Sequence, residues 1–307
     1  MRTFLGIEIG GTKLQLVLGD DEARILERFR LTVDPEQGAR GIKKQIRETL
    51  DKIRLHSVSS IGIGFGGPVD HQTGKILTSY QVSGWGDFVL QEWLEKLTRI
   101  PVWIDNDANV AALGESLYGA GADCDQVFYV TIGSGVGAGL VVNKRIYHGA
   151  KSSEQEFGHI RLDKNGRTVE QACAGWAVDE KIRKYAGEHP DSPLAELTRG
   201  LTRGEARVLL KALERNDSAA RDILEATTDD LSFGLSHVVH LMNPQTIILG
   251  GGLSLIGEPL RGMIEQKLPS YLMDVLRPGP SIQLSALKED AVPVGALALA
   301  INKINSA

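Results

Sequence analysis

The stretch "TFLGIEIGGTKLQLVLGD", residues 3–20, and the stretch "VFYVTIGSGVGAGLVVNKRIYHG", residues 127–149, follow one design. In each, a short run rich in Ile, Leu and Val meets a glycine-rich turn, and a second apolar run follows. That is the pattern of a strand, a tight turn and a returning strand. The echo of one hairpin in the other is the main architectural clue and points to a chain of two lobes. A third glycine cluster, in "NPQTIILGGGLS" at 243–254, closes another buried strand. Glycine carries no side chain to keep a ligand off backbone N–H groups, and successive N–H groups aimed at one point suit phosphates. A single cluster reads as a plain tight turn; three, two of them in matched hairpins, point to a nucleotide.

Outward from the first hairpin, Ile42, Ile46, Leu50 and Ile53 recur at helical spacing, and "SIGIGFGGPVD" at 60–70 is a short buried strand ending in Gly and Pro. "PVWIDNDANVAALGESLYGAG" at 101–121 reads as a strand, a turn rich in Asp and Asn, and a helix ended by glycines. Residues 176–243 read as helices, the last with Leu224, Leu231, Leu235, Val238 and Met242 on one face, and a final helix follows Pro293. No low-complexity linker separates the halves, so the boundary is expected as a hinge near residues 105–115.

At 307 residues the chain is long enough for two ordinary lobes. Its 34 basic and 39 acidic residues leave a formal charge of −5 with no block of like sign, which gives no footprint for nucleic acid or an anionic membrane. No apolar run approaches the ~18 residues of a membrane span, and the strand pattern begins so early that no signal peptide is expected. Cys124 and Cys173 are the only cysteines. They are too few for a disulfide framework or a cysteine-rich zinc site, and a reducing, cytoplasmic setting is expected.

Two familiar nucleotide motifs fail. "GSGVGA" from Gly133 to Ala138 follows a strand, but the dinucleotide fingerprint needs a helix next and the sequence continues as a strand. A phosphate loop of form GxxxxGK[ST] is absent. A pair of glycine hairpins gripping the phosphates of ATP remains. Among Asp105, Asn106 and Asp107 one serves as a helix cap. Three caps would be redundant, and phosphoryl transfer to a hydroxyl needs one positioned carboxylate to accept its proton.

"GIEIGGTK", "GFGGPVD", "IDNDANVAALGE", "TIGSGVGAGLV", "EFGHI" and "NPQTIILGGGLS" occur in an order and spacing that resemble the ROK family of sugar kinases and repressors, over nearly the whole chain. The resemblance implies an α/β, two-lobed, actin-like ATPase (ribonuclease H-like) fold with an interlobe cleft. Residues 1–107 would form the first lobe, with 292–307 packing back on it, and 108–291 the second. The repressor branch carries an added helix-turn-helix, so a kinase is expected here, taking ATP, Mg²⁺ and a hexose and forming homodimers. The implied acceptor is the 6-hydroxyl of glucose or a relative. An N-acetylhexosamine or fructose kinase, a sugar-sensing regulator without turnover and a sugar-independent ATPase are the alternatives.

By the same resemblance Asp107 is the base, Asn106 a hydrogen-bond partner of the sugar, and Asp105 an orderer of the turn. Gly10, Gly11, Thr12 and Lys13, with Gly133, Ser134 and Gly135, would hold phosphates, and Gly251 and Gly252 would approach the adenosine. For Lys13 the phosphate role is preferred over that of an exposed turn lysine. Glu156, His159 and Glu170 are implied as sugar ligands with Gly67 beside them, since carboxylates and an imidazole read hydroxyls that both donate and accept. Glu170 is as readily a solvated helix start. Glu154, Arg161 and Asp163 read as surface or local pairing residues. Many family members bind zinc through this histidine and three downstream cysteines; only Cys173 follows here, so no metal site is expected. Glu8 replaces the usual aspartate and Gln155 the usual glycine. His237, His240, Trp85, Trp93 and Trp103 read as packing residues.

Overall fold

The computed structural model describes residues 2–150 and 155–306, without the side chains of 305 and 306; Glu154 lies outside them. In chain order the elements are β1 (Thr3–Ile9), β2 (Lys13–Gly19), β3 (Ile25–Thr32), α1 (Gly38–Leu50), β4 (Val58–Phe65), β5 (Val69–Asp70), β6 (Lys75–Ile76), β7 (Phe88–Val89), α2 (Leu90–Thr98), β8 (Val102–Asn106) and α3 (Asp107–Tyr118). Then come β9 (Gln126–Ile132), β10 (Val136–Val142), β11 (Arg145–Ile146), α4 (Val169–Cys173), α5 (Gly175–Glu188), α6 (Pro193–Thr198), α7 (Leu209–Glu214), α8 (Ser218–Met242), β12 (Thr246–Gly250), α9 (Glu258–Lys267), β13 (Ser281–Leu284) and α10 (Ala291–Ser306).

Two compact units result. The first holds Met1–Asp125, Gly139–Glu154 and Ala286–Ala307; the second holds Gln126–Ala138 and Gln155–Ser285. In the first, a sheet of order β3-β2-β1-β4-β8 begins with the hairpin read at residues 3–20. β1 runs antiparallel to β2 and parallel to β4, and β4 parallel to β8. β4 is buried along almost its whole length, as a strand covered on both faces must be, and its sequence is correspondingly apolar. α10 lies on β1, β4 and α3. A Cβ on Gly62 would stand 1.9 Å from the Ala296 carbonyl, so only glycine lets the helix backbone come this close to the strand. The sequence reading closes the first lobe at 107, whereas the first unit continues through α3 to Asp125, because α3 packs along α10.

The second sheet has the order β11-β10-β9-β12-β13, with β12 parallel to β9 and β13, and the line between the units passes within β10. In the second unit Phe128, Val130, Ile247 and Ile248 are sealed from solvent. A small third sheet, β5-β6-β7, lies in the first unit.

Candidate active site

In the first unit the parallel strands β1, β4 and β8 end together, with Ile9 opposite Phe65 and Phe65 opposite Asn106. The turns that follow carry Gly10–Thr12, Gly66–Gly67 and the Asn106–Asp107 step. Carboxyl ends of parallel strands are where α/β sheets bind ligands. The Gly66 N–H donates to the Ile9 carbonyl at 2.8 Å. A Cβ on Gly66 would stand 3.5 Å from Gly10 Cα and 3.4 Å from Asp107 Oδ2, so one bare position separates the first glycine turn from the Asp107 carboxylate.

Asn106 is the cap of α3. Its Oδ1 accepts from the Ala108 and Asn109 N–H groups at 2.9 and 3.3 Å, and its Nδ2 donates to the Gly67 carbonyl at 3.2 Å. Asp107 is the first helical residue, with Oδ1 accepting from the Ala108 N–H at 2.9 Å. Asp105 orders the turn: its Oδ1 accepts from the Asn106 N–H at 2.8 Å and from Asn109 Nδ2 at 3.0 Å. Its Oδ2 lies 2.6 Å from His148 Nε2, and the His148 ring stacks on His71 with centroids 3.5 Å apart. Neither histidine stands out in the sequence, since nothing local marks a pair joined across the fold.

At the first hairpin, Gly10 N–H donates to the Lys13 carbonyl at 2.9 Å and closes the turn. Lys13 Nζ sits 3.1 Å from Glu8 Oε1, and Gln15, opposite Glu8 on β2, donates to the other carboxylate oxygen at 2.6 Å. Burial pushes the Glu8 carboxyl above its ordinary value, against the opposing pull of Lys13. Lys13 is therefore held at the base of the turn by the Glu8 carboxylate of the neighbouring strand. Gln81, also unremarked in the sequence, covers Gly11: a Cβ there would stand 2.1 Å from Gln81 Oε1.

In the second unit Gly133 N–H donates to the Gly135 carbonyl at 2.8 Å, and the Gly133 carbonyl accepts from Gly175 N–H at the start of α5, also at 2.8 Å. β12 ends beside it, Gly250 opposite Thr131. A Cβ on Gly133 would lie 4.0 Å from the Gly252 nitrogen, so the second and third glycine clusters of the sequence adjoin. Gly251 has φ +78°, and a Cβ on it would come 2.6 Å from the Ile132 backbone; a Cβ on Gly252 would meet nothing within 4 Å. Ser134 is exposed at the tip.

Val136, just past this turn, meets Glu170 on one side and Gly158, which lies between Glu156 and His159 in the chain, on the other. A capping box between Thr168 and Gln171 starts α4 and sets Glu170 at its second position, where Oε2 accepts from the Val136 N–H at 2.8 Å. Glu170 is thus tied to the hairpin and is not simply a solvated helix start. On the other side a 3-10 turn, Phe157–His159, is pinned by buried Phe157 against Phe128 and by Gly158, whose Cβ would stand 2.2 Å from the Val136 carbonyl. Glu156 and His159 flank it and are exposed. Gln155 takes φ +61°, the left-handed conformation that the family's glycine favours.

His237 Nδ1 lies 2.9 Å from the Phe233 carbonyl, and His240 Nε2 accepts from the Met273 N–H at 3.3 Å. Trp85 is buried edge-on to Phe65, and Trp93 packs on Phe88. Among the described residues no group of three or more His, Cys, Asp or Glu side chains is placed to hold a metal ion, and no helix is long and apolar enough to cross a membrane.

The family model described as "ROK family" matches residues 4–303. The chain is 30% identical to a glucokinase of Halalkalibacterium halodurans, over 96% of this chain and 93% of that protein. It is 27% identical to a glucokinase of Thermotoga maritima, over 98% of each. Among solved structures it is similar to a ROK family glucokinase from Streptomyces griseus in complex with glucose and AMPPNP, with a TM-score of 0.85 and 29% identity over 98% of this chain and 99% of that one. The α/β fold is accordingly the actin-like ATPase fold of such kinases.

Proposed function

We infer the activity from one premise: this chain belongs to the ROK family, whose model it matches over residues 4–303. It is a sugar kinase, and its proposed reaction moves the γ-phosphate of ATP to the 6-hydroxyl of glucose or a close relative. Asp107 takes the hydroxyl proton as the sugar oxygen attacks phosphorus in line; the bond to the β-phosphate oxygen breaks, ADP leaves, and the carboxyl returns its proton to solvent. Asn106 and Gly67 hold the acceptor end of the sugar, while Glu156, His159 and Glu170 read its other hydroxyls. Phosphates rest on N–H groups at Gly10–Thr12 with Lys13, and at Gly133–Gly135; Gly251 and Gly252 take the adenosine side.

The observation that carries this reading is that a Cβ on the bare glycine Gly66 would stand 3.5 Å from Gly10 Cα and 3.4 Å from Asp107 Oδ2. It sets the first glycine turn beside the Asp107 carboxylate. The glucose and AMPPNP in the similar Streptomyces griseus structure support glucose as acceptor and an adenine nucleotide as donor. Mg²⁺ would supply charge neutralisation on the β- and γ-phosphates. Glu8 and Thr12 suit a hold through its waters, because Glu8 already accepts from Lys13 and Gln15.

The test is ADP release measured with glucose, mannose, fructose, allose, N-acetylglucosamine and N-acetylmannosamine in turn. Glucose should give the highest kcat/KM, and release indifferent to every sugar would sink the reading.

A further inference from the structure

Three separate segments of the first unit meet at His148. Asp105 closes β8 and is 3% exposed, so its carboxylate needs every partner it has. Oδ1 serves the Asn106 N–H and the Asn109 amide, and Oδ2 faces His148 Nε2 at 2.6 Å. A carboxylate accepts, so the ring presents Nε2–H. The other face of that ring lies against His71 at 3.5 Å and 12° from parallel, and His71 follows β5 directly after the Gly66–Gly67 turn. The ring is thereby held between His71 and Asp105, which lies at the end of β8 just before the base-bearing turn.

We propose that His148 is a positioning residue of the phosphoryl transfer, whose Nε2–H fixes Asp105 and through it the turn that presents Asn106 and Asp107. The proposal rests on the sugar-kinase reading above. The role assigned to His148 runs through Asp105, whose Oδ2 its Nε2 meets at 2.6 Å. With Nε2–H removed, a buried carboxylate lacks a donor and swings toward whatever remains, and Oδ1 leaves the Asn106 N–H. The Asp107 carboxylate, one residue on, moves with that peptide.

Two variants separate the donor from the ring. His148→Phe keeps a flat ring for His71 and loses the donor; His148→Gln loses the ring and keeps an N–H near the place of Nε2. A misplacement approaching 1 Å costs on the order of 10² in rate, so His148→Phe should lose about 10- to 100-fold in kcat. KM for ATP should stay within about twofold, and His148→Gln should return kcat to within about threefold of wild type. Asp105→Asn should lose as much as His148→Phe, and the double variant no more than the worse single one. Wild-type turnover in His148→Phe, equal losses in the Phe and Gln variants, or additive losses in the double variant overturn the proposal while leaving the kinase reading intact. Should the Phe and Gln variants fail to fold, Asp105→Asn at wild-type kcat overturns it as well. A wild-type protein without sugar-dependent turnover removes the reaction itself, and the positioning role with it.

Discussion

Replacing Asp107 by asparagine should separate catalysis from folding, and the structure sets the size of both effects. Asn106, not Asp107, caps α3, and an amide oxygen at 107 can still accept from the Ala108 N–H, now at 2.9 Å. Folding loses only the interaction of a negative charge with the first turn of a helix, about 0.3–1 kcal/mol. That corresponds to a melting shift of roughly 2–4 °C at most for a domain of this size class. Turnover loses general-base help worth about 10² to 10⁴, or roughly 3–5 kcal/mol of barrier at about 1.4 kcal/mol per decade. Asn106→Ala costs folding more. It removes the cap, about 0.5–2 kcal/mol, together with the bond to the Gly67 carbonyl. Coupled ADP release and calorimetric melting on the three proteins give the comparison. Asp107→Asn within tenfold of wild-type kcat, or melting as low as Asn106→Ala, would refute the reasoning.

Three further outcomes follow from the same geometry. Gly251→Ala should cost stability, since φ is +78° and its Cβ would stand 2.6 Å from the Ile132 backbone, whereas Gly252→Ala, with nothing within 4 Å, should melt as wild type and raise KM for ATP; equal melting losses contradict this. Burial raises the Glu8 carboxyl above its ordinary 4.5, so its stabilising form is the protonated one, complete below that value and lost as pH rises through the raised folded one. Glu8→Gln should therefore gain on wild type in melts as pH climbs from about 4 to about 8, and a shrinking gain would count against it. Burial pushes the Cys173 thiol up to about 12 while Cys124 is half-buried, so a thiol reagent should find one fast thiol, abolished by Cys124→Ser; two fast thiols contradict the burial.

The hairpins, the strand ending in Gly66–Gly67 and the Asp-Asn turn were legible because each is a local signal: apolar runs, glycines and caps. β3 was not, since "ILERFRLT" is an edge strand with charged residues exposed along it and lacks a clean alternation. The two-residue strands β5, β6 and β7 are too short to carry any period. The extent of the first unit depends on how α3 lies on α10, a contact between segments far apart in sequence. The same reason hides the His148–Asp105 pair, 43 residues apart. Glu170 was legible as a candidate, but its bond to the Val136 N–H depends on where α4 meets β10, which no spacing reveals.

The central claim is that a carboxylate beside a bare glycine turn moves phosphate onto a sugar hydroxyl. Purified protein given ATP, Mg²⁺ and glucose carrying carbon-13 at C6 tests it directly by phosphorus NMR. The account predicts one new phosphomonoester signal coupled to the labelled carbon, growing in step with ADP and absent in Asp107→Asn. Inorganic phosphate in place of the ester, or an ester on another carbon, would contradict it.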